Sequence, residues 1–190
     1  MPASRDVTAS PRERILRVAG DLFYAHGINA IGVDTIVAQS GAAKTTLYAN
    51  FGSKDELVAA YLRKRSQTWR AYLTDALQRR AHTPRQRLLA LFEVLGEAVV
   101  DPSFRGCPFI NATAELADTS RSGREVVAEH RAWVRELLRG LAAQAGLNHP
   151  AEAAAELQML YDAVLVSAQV DGGAKSARRA RKLAQLILRG

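Results

Sequence analysis

Apolar residues return along this chain every three or four positions. Ile15, Leu16, Ala19, Leu22 and Phe23 share one face, and Leu57, Ala60, Tyr61 and Leu62 begin a second that continues through Trp69, Tyr72 and Leu73 toward Leu77. That spacing is the helical period, and no useful window alternates as a half-buried strand would. Ala, Leu, Arg, Glu and Gln dominate, all residues at ease in helices. The pattern predicts an all-α protein. Ser10-Pro11-Arg12-Glu13 reads as a capping box opening the first helix, and Gly27 as the residue that closes it. Ser53-Lys54-Asp55-Glu56 reads as a second box opening a long helix. Between Gly32 and Gly52 two short helices fit, Val33 to Gln39 and Ala43 to Asn50, separated by Ser40-Gly41-Ala42. Beyond these, His82-Thr83-Pro84, Asp101-Pro102, Arg121-Ser122-Gly123, Gly146 to Pro150 and Asp171-Gly172-Gly173 punctuate the remainder into about five more helices, about nine in all.

Composition narrows the class. The chain has 190 residues, 48% hydrophobic and 24% charged, which argues for a globular protein of one domain or two and against disorder. A single cysteine excludes an intrachain disulfide, and the polar start from Met1 to Ser10 has no apolar leader segment, so a cytoplasmic setting is expected. Apolar runs such as Leu88 to Phe92 fall far short of the roughly 20 residues of a membrane span, so no membrane partner is expected. The net charge of +7 suggests a polyanionic partner without saying which.

Two short helices about a glycine turn form the helix-turn-helix, whose second helix enters the major groove of DNA. Ile36, Val37 and Leu47 are placed to bury against one another and against Leu22 and Phe23, and Gly41 permits the sharp reversal. Lys44, Thr45, Tyr48 and Ala49 are left on the outer face of the second helix, with Thr46 and Asn50 at its flanks. A cation, hydroxyls, an amide and a methyl can hold phosphates, meet base edges and pack on a thymine methyl.

From Arg12 to Leu62 the sequence resembles the DNA-binding domain of the tetracycline-repressor (TetR) family of bacterial regulators. The matching residues are Ile15 through Gly27, Ile36 through Gly41, Lys44-Thr45-Thr46-Leu47-Tyr48-Ala49-Asn50-Phe51 and Ser53-Lys54-Asp55-Glu56-Leu57. The resemblance implies a three-helix DNA-binding domain over 9–69, with its helix-turn-helix at 32–51, and a helical effector-binding and dimerisation domain over 70–190. It implies a ligand-responsive repressor, bound as a homodimer to a palindromic double-stranded operator. It also implies that Lys44, Thr45 and Thr46 sit near bases and phosphates, that Tyr48 donates to a phosphate, that Asn50 reaches the backbone and that Lys54 grips a phosphate at a helix N-terminus. Three positions depart from the family pattern: Gly32 and Ala43 stand where polar caps are usual, and Val37 where a small alanine is. Alanine is a poor cap, at a cost of about 1 kcal/mol. Asp34 lies near a place where a cation facing DNA would be welcome.

The last two thirds carry two apolar stripes, one of Ala154, Leu157, Leu160, Tyr161, Val164, Leu165 and Ala168, the other of Ala177, Ala180, Leu183, Ala184, Ile187 and Leu188. Each fits a four-helix dimer interface, which would set two recognition helices about 34 to 36 Å apart, or the protomer's own core. For a small apolar or aromatic effector the candidate lining is Phe92, Phe104, Cys107, Phe109, Asn111, Trp133 and Tyr161, with core packing as the other reading. Cys107, in Arg105-Gly106-Cys107-Pro108, is open to two readings: a thiolate that senses an oxidant or electrophile, its pKa lowered by nearby charge or a helix start, or a small buried side chain. Two other classes compete. An enzyme finds little support: His26, His82, His130 and His149 make no metal pair, no nucleophile motif or phosphate-binding glycine loop is present, and no metal or cofactor is expected. A nonspecific nucleoid-type binder would rely on charge alone and show no preference for one site.

Overall fold

The computed structural model describes residues 10–116 and 121–189; the polar stretch Met1 to Ala9 and the outermost residues of the expected domains lie outside it. Among the described residues there are nine α-helices and no strand: α1 Pro11–His26, α2 Val33–Ser40, α3 Lys44–Phe51, α4 Lys54–Arg80, α5 Pro84–Ala98, α6 Pro108–Glu115, α7 Arg121–Gln144, α8 Pro150–Asp171 and α9 Lys175–Ile187. The all-α reading holds, as does its count.

Local chemistry explains the helix ends. Ser10 Oγ accepts from the Glu13 N–H at 3.2 Å while the Glu13 carboxylate accepts from the Ser10 N–H at 2.8 Å, so the first capping box is complete. Only half of the second forms as expected. Ser53 Oγ accepts from the Glu56 N–H at 3.1 Å, but the Glu56 carboxylate accepts from the Ser122 hydroxyl, a residue distant in sequence. Thr83 and Gln86 build a further reciprocal box at the start of α5, at 3.2 and 3.1 Å. Gly27 closes α1, and Gly41 closes α2 at φ 65°, a left-handed conformation that a side chain resists. Arg121-Ser122-Gly123, read as a break, instead forms the first turn of α7. Gly123 costs helix propensity, yet neighbouring Val126 and Val127 are buried and packing outweighs that cost.

The chain divides into two compact units. The first contains residues up to Arg65 together with Asn111–Val127. Its core gathers Ile15, Ala19, Leu22 and Phe23 of α1, Ile36 of α2, Leu47 and Phe51 of α3, and Leu57, Val58, Tyr61 and Leu62 of α4. Glu115 ties the segment at the end of α6 to the turn after α1: it accepts from the Asn29 N–H at 2.8 Å, and its carbonyl accepts from Asn29 Nδ2 at 3.0 Å.

The second unit comprises Ser66–Ile110 and Ala128–Gly190, with α5, α8 and α9 packed on one another. The buried side of α9 is Ala177, Ala180 and Ala184, and small side chains let its axis approach closely. A β-carbon on Gly96 of α5 would lie 3.2 Å from Ala177 Cβ. Arg181 and Glu93 pair at 2.8 Å beside this contact. Between α7 and α8, Arg131 clasps Asp162 through two hydrogen bonds of 3.1 and 2.7 Å, and Gln158 is held at both ends by Arg135 Nε and the Arg131 carbonyl.

Candidate nucleic-acid interface and effector cluster

In the first unit α1, α2 and α3 all touch one another. Burying Ile36, Leu47 and Phe51 fixes the roll of the two short helices and thereby decides which side chains of α3 face outward. Val37 is half-buried, so the crossing takes its branched side chain without enclosing it fully. Lys44, Thr45, Tyr48, Ala49 and Asn50 are exposed and Thr46 is half-buried. Tyr48 is 43% exposed, which excludes it from the core despite its place next to Leu47.

Several of these groups are already engaged. Lys44 Nζ donates to Asp34 Oδ1 at 2.8 Å, and this partner raises the lysine pKa. Asp34 therefore sits against the cation at the start of α3 instead of leaving it free. Asn50 turns back, its amide donating to the Thr46 carbonyl at 2.8 Å. Lys54, at the first position of α4, donates to the Ile28 carbonyl at 2.8 Å. A phosphate contact would have to draw Lys54 from that bond. In the run Arg63-Lys64-Arg65 the first two are exposed, and the Arg65 guanidinium stacks 4.2 Å from the Tyr24 ring centroid.

The candidate effector residues divide. Phe109 stacks face to face on His130, centroids 3.6 Å apart and planes 9° from parallel, and the Trp133 ring lies 6.1 Å from the same imidazole. Cys107 and Tyr161 are near enough to feel each other's charge, and both feel the Arg131–Asp162 pair. These four side chains thus share one region with His130. Phe92 is buried in α5, Phe104 is half-buried in the turn before α6, and Asn111 belongs to the first unit. Gly106 precedes Cys107 at φ 89°, and a β-carbon there would overlap the Gln169 amide, so only glycine lets this turn press against α8.

Of the two readings of Cys107, the structure supports the small buried side chain. Cys107 is buried, and burial pushes its thiol pKa up, because charge is expensive away from water. Backbone N–H groups of Phe109 and Ile110 pull the other way and lose. His130 is buried too; desolvation first, then Arg70 and Arg131, lower its pKa to about 4. Its Nδ1 shares a hydrogen bond of 3.0 Å with Ser66 Oγ. His130, Ser66 and Arg70 were not legible as site residues. The one available signal was Ser66, Trp69 and Arg70 at core spacing with Leu73, where four apolar residues would be ordinary.

The two stripes of α8 and α9 resolve mostly inward. Ala154, Leu157, Tyr161, Val164, Leu165 and Ala168, then Ala177, Ala180, Ala184 and Leu188, are buried within the protomer. Leu183, a member of the second stripe, is exposed instead, and the other apolar residues left exposed lie outside the stripes: Met159, Val166 and Val170 on α8, and Leu186 on α9. Among the described residues no helix is long and apolar enough to cross a membrane.

A helix-turn-helix with a polar, solvent-facing second helix, carried on a chain with a separate helical body, defines a DNA-binding regulator of the all-α class. Comparison gives the family. Residues 15–61 match the bacterial regulatory proteins of the tetR family, and residues 84–184 match the tetracyclin repressor-like C-terminal domain. The chain belongs to the TetR family of transcriptional regulators. The crystal structure of SCO4454, a TetR-family regulator from Streptomyces coelicolor, superposes with a TM-score of 0.87 at 30% identity, covering 94% of each chain. The transcriptional repressor NemR of Escherichia coli K12 is 25% identical over 117 residues, 61% of this chain; the match spans 59% of NemR's own length. A cysteine-substituted form of the regulator CifR, solved with a 26-bp operator duplex, shares the fold at 20% identity with a TM-score of 0.75, over 93% of this chain and 94% of its own.

Proposed function

We propose that this regulator is a ligand-responsive repressor that binds a near-palindromic operator as a homodimer in the bacterial cytoplasm and leaves it when a small aromatic effector enters the second unit. The observation that carries the DNA part is the outward face of α3. Lys44, Thr45, Tyr48 and Ala49 stand exposed together while Leu47 and Phe51 anchor the helix behind them. Thr46 and Asn50 flank that face, and Lys54 completes it once it exchanges the Ile28 carbonyl for a phosphate. The exposed apolar residues of α8 and α9 support the dimer, because a second copy of the same helices would cover them. Two recognition helices would then lie about one DNA turn, roughly 34 to 36 Å, apart.

Ligand response follows from coupling. An effector that prefers a spacing of the heads unsuited to DNA weakens DNA binding, and DNA weakens effector binding by the same factor. Helix α4, 27 residues long, is continuous from the first unit into the second and is the natural lever. The test is in vitro selection of duplexes bound by the full chain, followed by fluorescence anisotropy on the winner and on scrambled DNA. A palindromic winner bound far more tightly than scrambled sequence is expected. Equal affinity for both would put a charge-driven binder in its place.

A further inference from the structure

One face of α4 in the second unit carries Ser66, Trp69, Arg70 and Leu73, at the i, i+3, i+4, i+7 spacing of a core stripe. Ser66 and Leu73 are buried. The Trp69 Nε1–H and the Arg70 Nε–H are also shut away from solvent, and neither has a hydrogen-bond partner. Buried donors are nearly always paired, because an unpaired N–H has given up its water for nothing.

The surroundings supply few acceptors. Burial raises the Tyr161 pKa; its hydroxyl approaches the Trp69 N–H closely enough for that contact to pull the other way, short of a well-formed hydrogen bond. The carboxylate at hand, Asp162, is clasped by Arg131, and both ends of Gln158 are occupied. Arg70 itself spends Nη2 on the Glu129 carbonyl at 3.2 Å and lies 5.1 Å from the Trp133 ring centroid, leaving Nε over. Arg131 thus takes up the Asp162 carboxylate, the two α4 donors are left over, and the neighbouring rings are Phe109 stacked on His130 with Trp133 beside it.

We propose that the effector of this unit is an aromatic ring bearing an anionic oxygen, an arylcarboxylate or a phenolate, whose oxygen accepts from Trp69 Nε1 and Arg70 Nε while the ring packs beside Trp133. The proposal rests on the ligand-responsive reading above and adds the ligand's chemistry to it. A neutral hydrocarbon would leave both donors unpaired, and a cation would meet Arg70 and Arg131. An anionic oxygen offers several lone pairs and the strongest acceptors available.

The test is calorimetric titration of the full chain with naphthoate, phenylpropanoate and para-nitrophenolate, against naphthylmethanol and phenylpropanol as neutral analogues and acetate as an anion without a ring. At least one aryl anion should bind about tenfold more tightly than the alcohols and than acetate, and Trp69→Phe and Arg70→Met should each remove about that factor for the anion alone. Carboxylate and phenolate arms tell which oxygen the site prefers. Circular dichroism melting of both variants separates loss of binding from loss of fold, and Trp69→Phe keeps an aromatic ring while removing the N–H. Alcohols binding as well as the anions, no binding by any aryl anion, or anion affinity indifferent to both substitutions would overturn the proposal and leave the two donors to water. Operator release is read separately by anisotropy. Aryl anions that bind through Trp69 and Arg70 but leave DNA bound would remove the ligand-responsive reading and keep the ligand chemistry. Alcohols that release DNA would do the reverse.

Discussion

Asp34 and Lys44 carry opposite charges on adjacent short helices, and both are exposed. A phosphate approaching Lys44 must compete with the Asp34 carboxylate, which also repels it. Asp34→Asn should therefore strengthen binding to any duplex, whereas Lys44→Ala should weaken it and reduce the slope of log affinity against log salt by about 1. A salt series by anisotropy measures both. For Cys107 the raised pKa means little thiolate at neutral pH, so a thiol-directed disulfide reagent should label the native protein slowly and the urea-unfolded protein at once. Rapid native labelling would restore the sensor reading. His130 makes a third expectation. Its pKa falls from the usual 6.5 to about 4 on folding, so between those values the unfolded chain binds more protons and stability rises with pH. Acidification from pH 7 to 4 should remove on the order of 3 kcal/mol through this group. His130→Gln should flatten that part of the stability profile in urea titrations across the range.

At the scale of elements, helix ends were the most legible features because caps act within four residues. Ser10 and Thr83 both complete reciprocal boxes, so Ser10→Ala or Thr83→Ala should each cost about 1 kcal/mol in urea unfolding. Ala43 and Gly32 provide no side-chain cap at α3 and α2, as their chemistry requires. These short helices owe their stability to Ile36, Leu47 and Phe51 in the core and not to their ends. Where an element depends on a distant partner, the local signal misleads. Glu56 reads as a box partner of Ser53 but serves Ser122, and Gly123 reads as a break but lies inside α7.

For the whole molecule, the faces of α8 and α9 that remain apolar and exposed are where a second copy is expected. Val166→Glu with Leu186→Glu places charges at two exposed positions. It should leave the protomer folded, shift it to a monomer in light scattering, and lower operator affinity by a large factor, since one head alone makes half the contacts. An unchanged dimer would place the interface on another surface.

Periodicity, caps and glycine turns, all acting within a few residues, were enough to define an all-α chain, the helix-turn-helix and the outward residues of α3. The family pattern over the same stretch supplied the rest of that reading. Tertiary structure alone decided three things. Between α5, α8 and α9, it chose which apolar stripe is core, because an amphipathic helix with two apolar faces does not state which one its neighbours will cover. By burying Cys107 it decided the direction of the thiol's pKa, which depends on the water and charge around it more than on the residues beside it in the chain. It also brought Ser66 to His130 across 64 positions, next to two donors on α4 that have no acceptor. Unpaired donors are a property of the packed interior, so no reading of the chain could have found them.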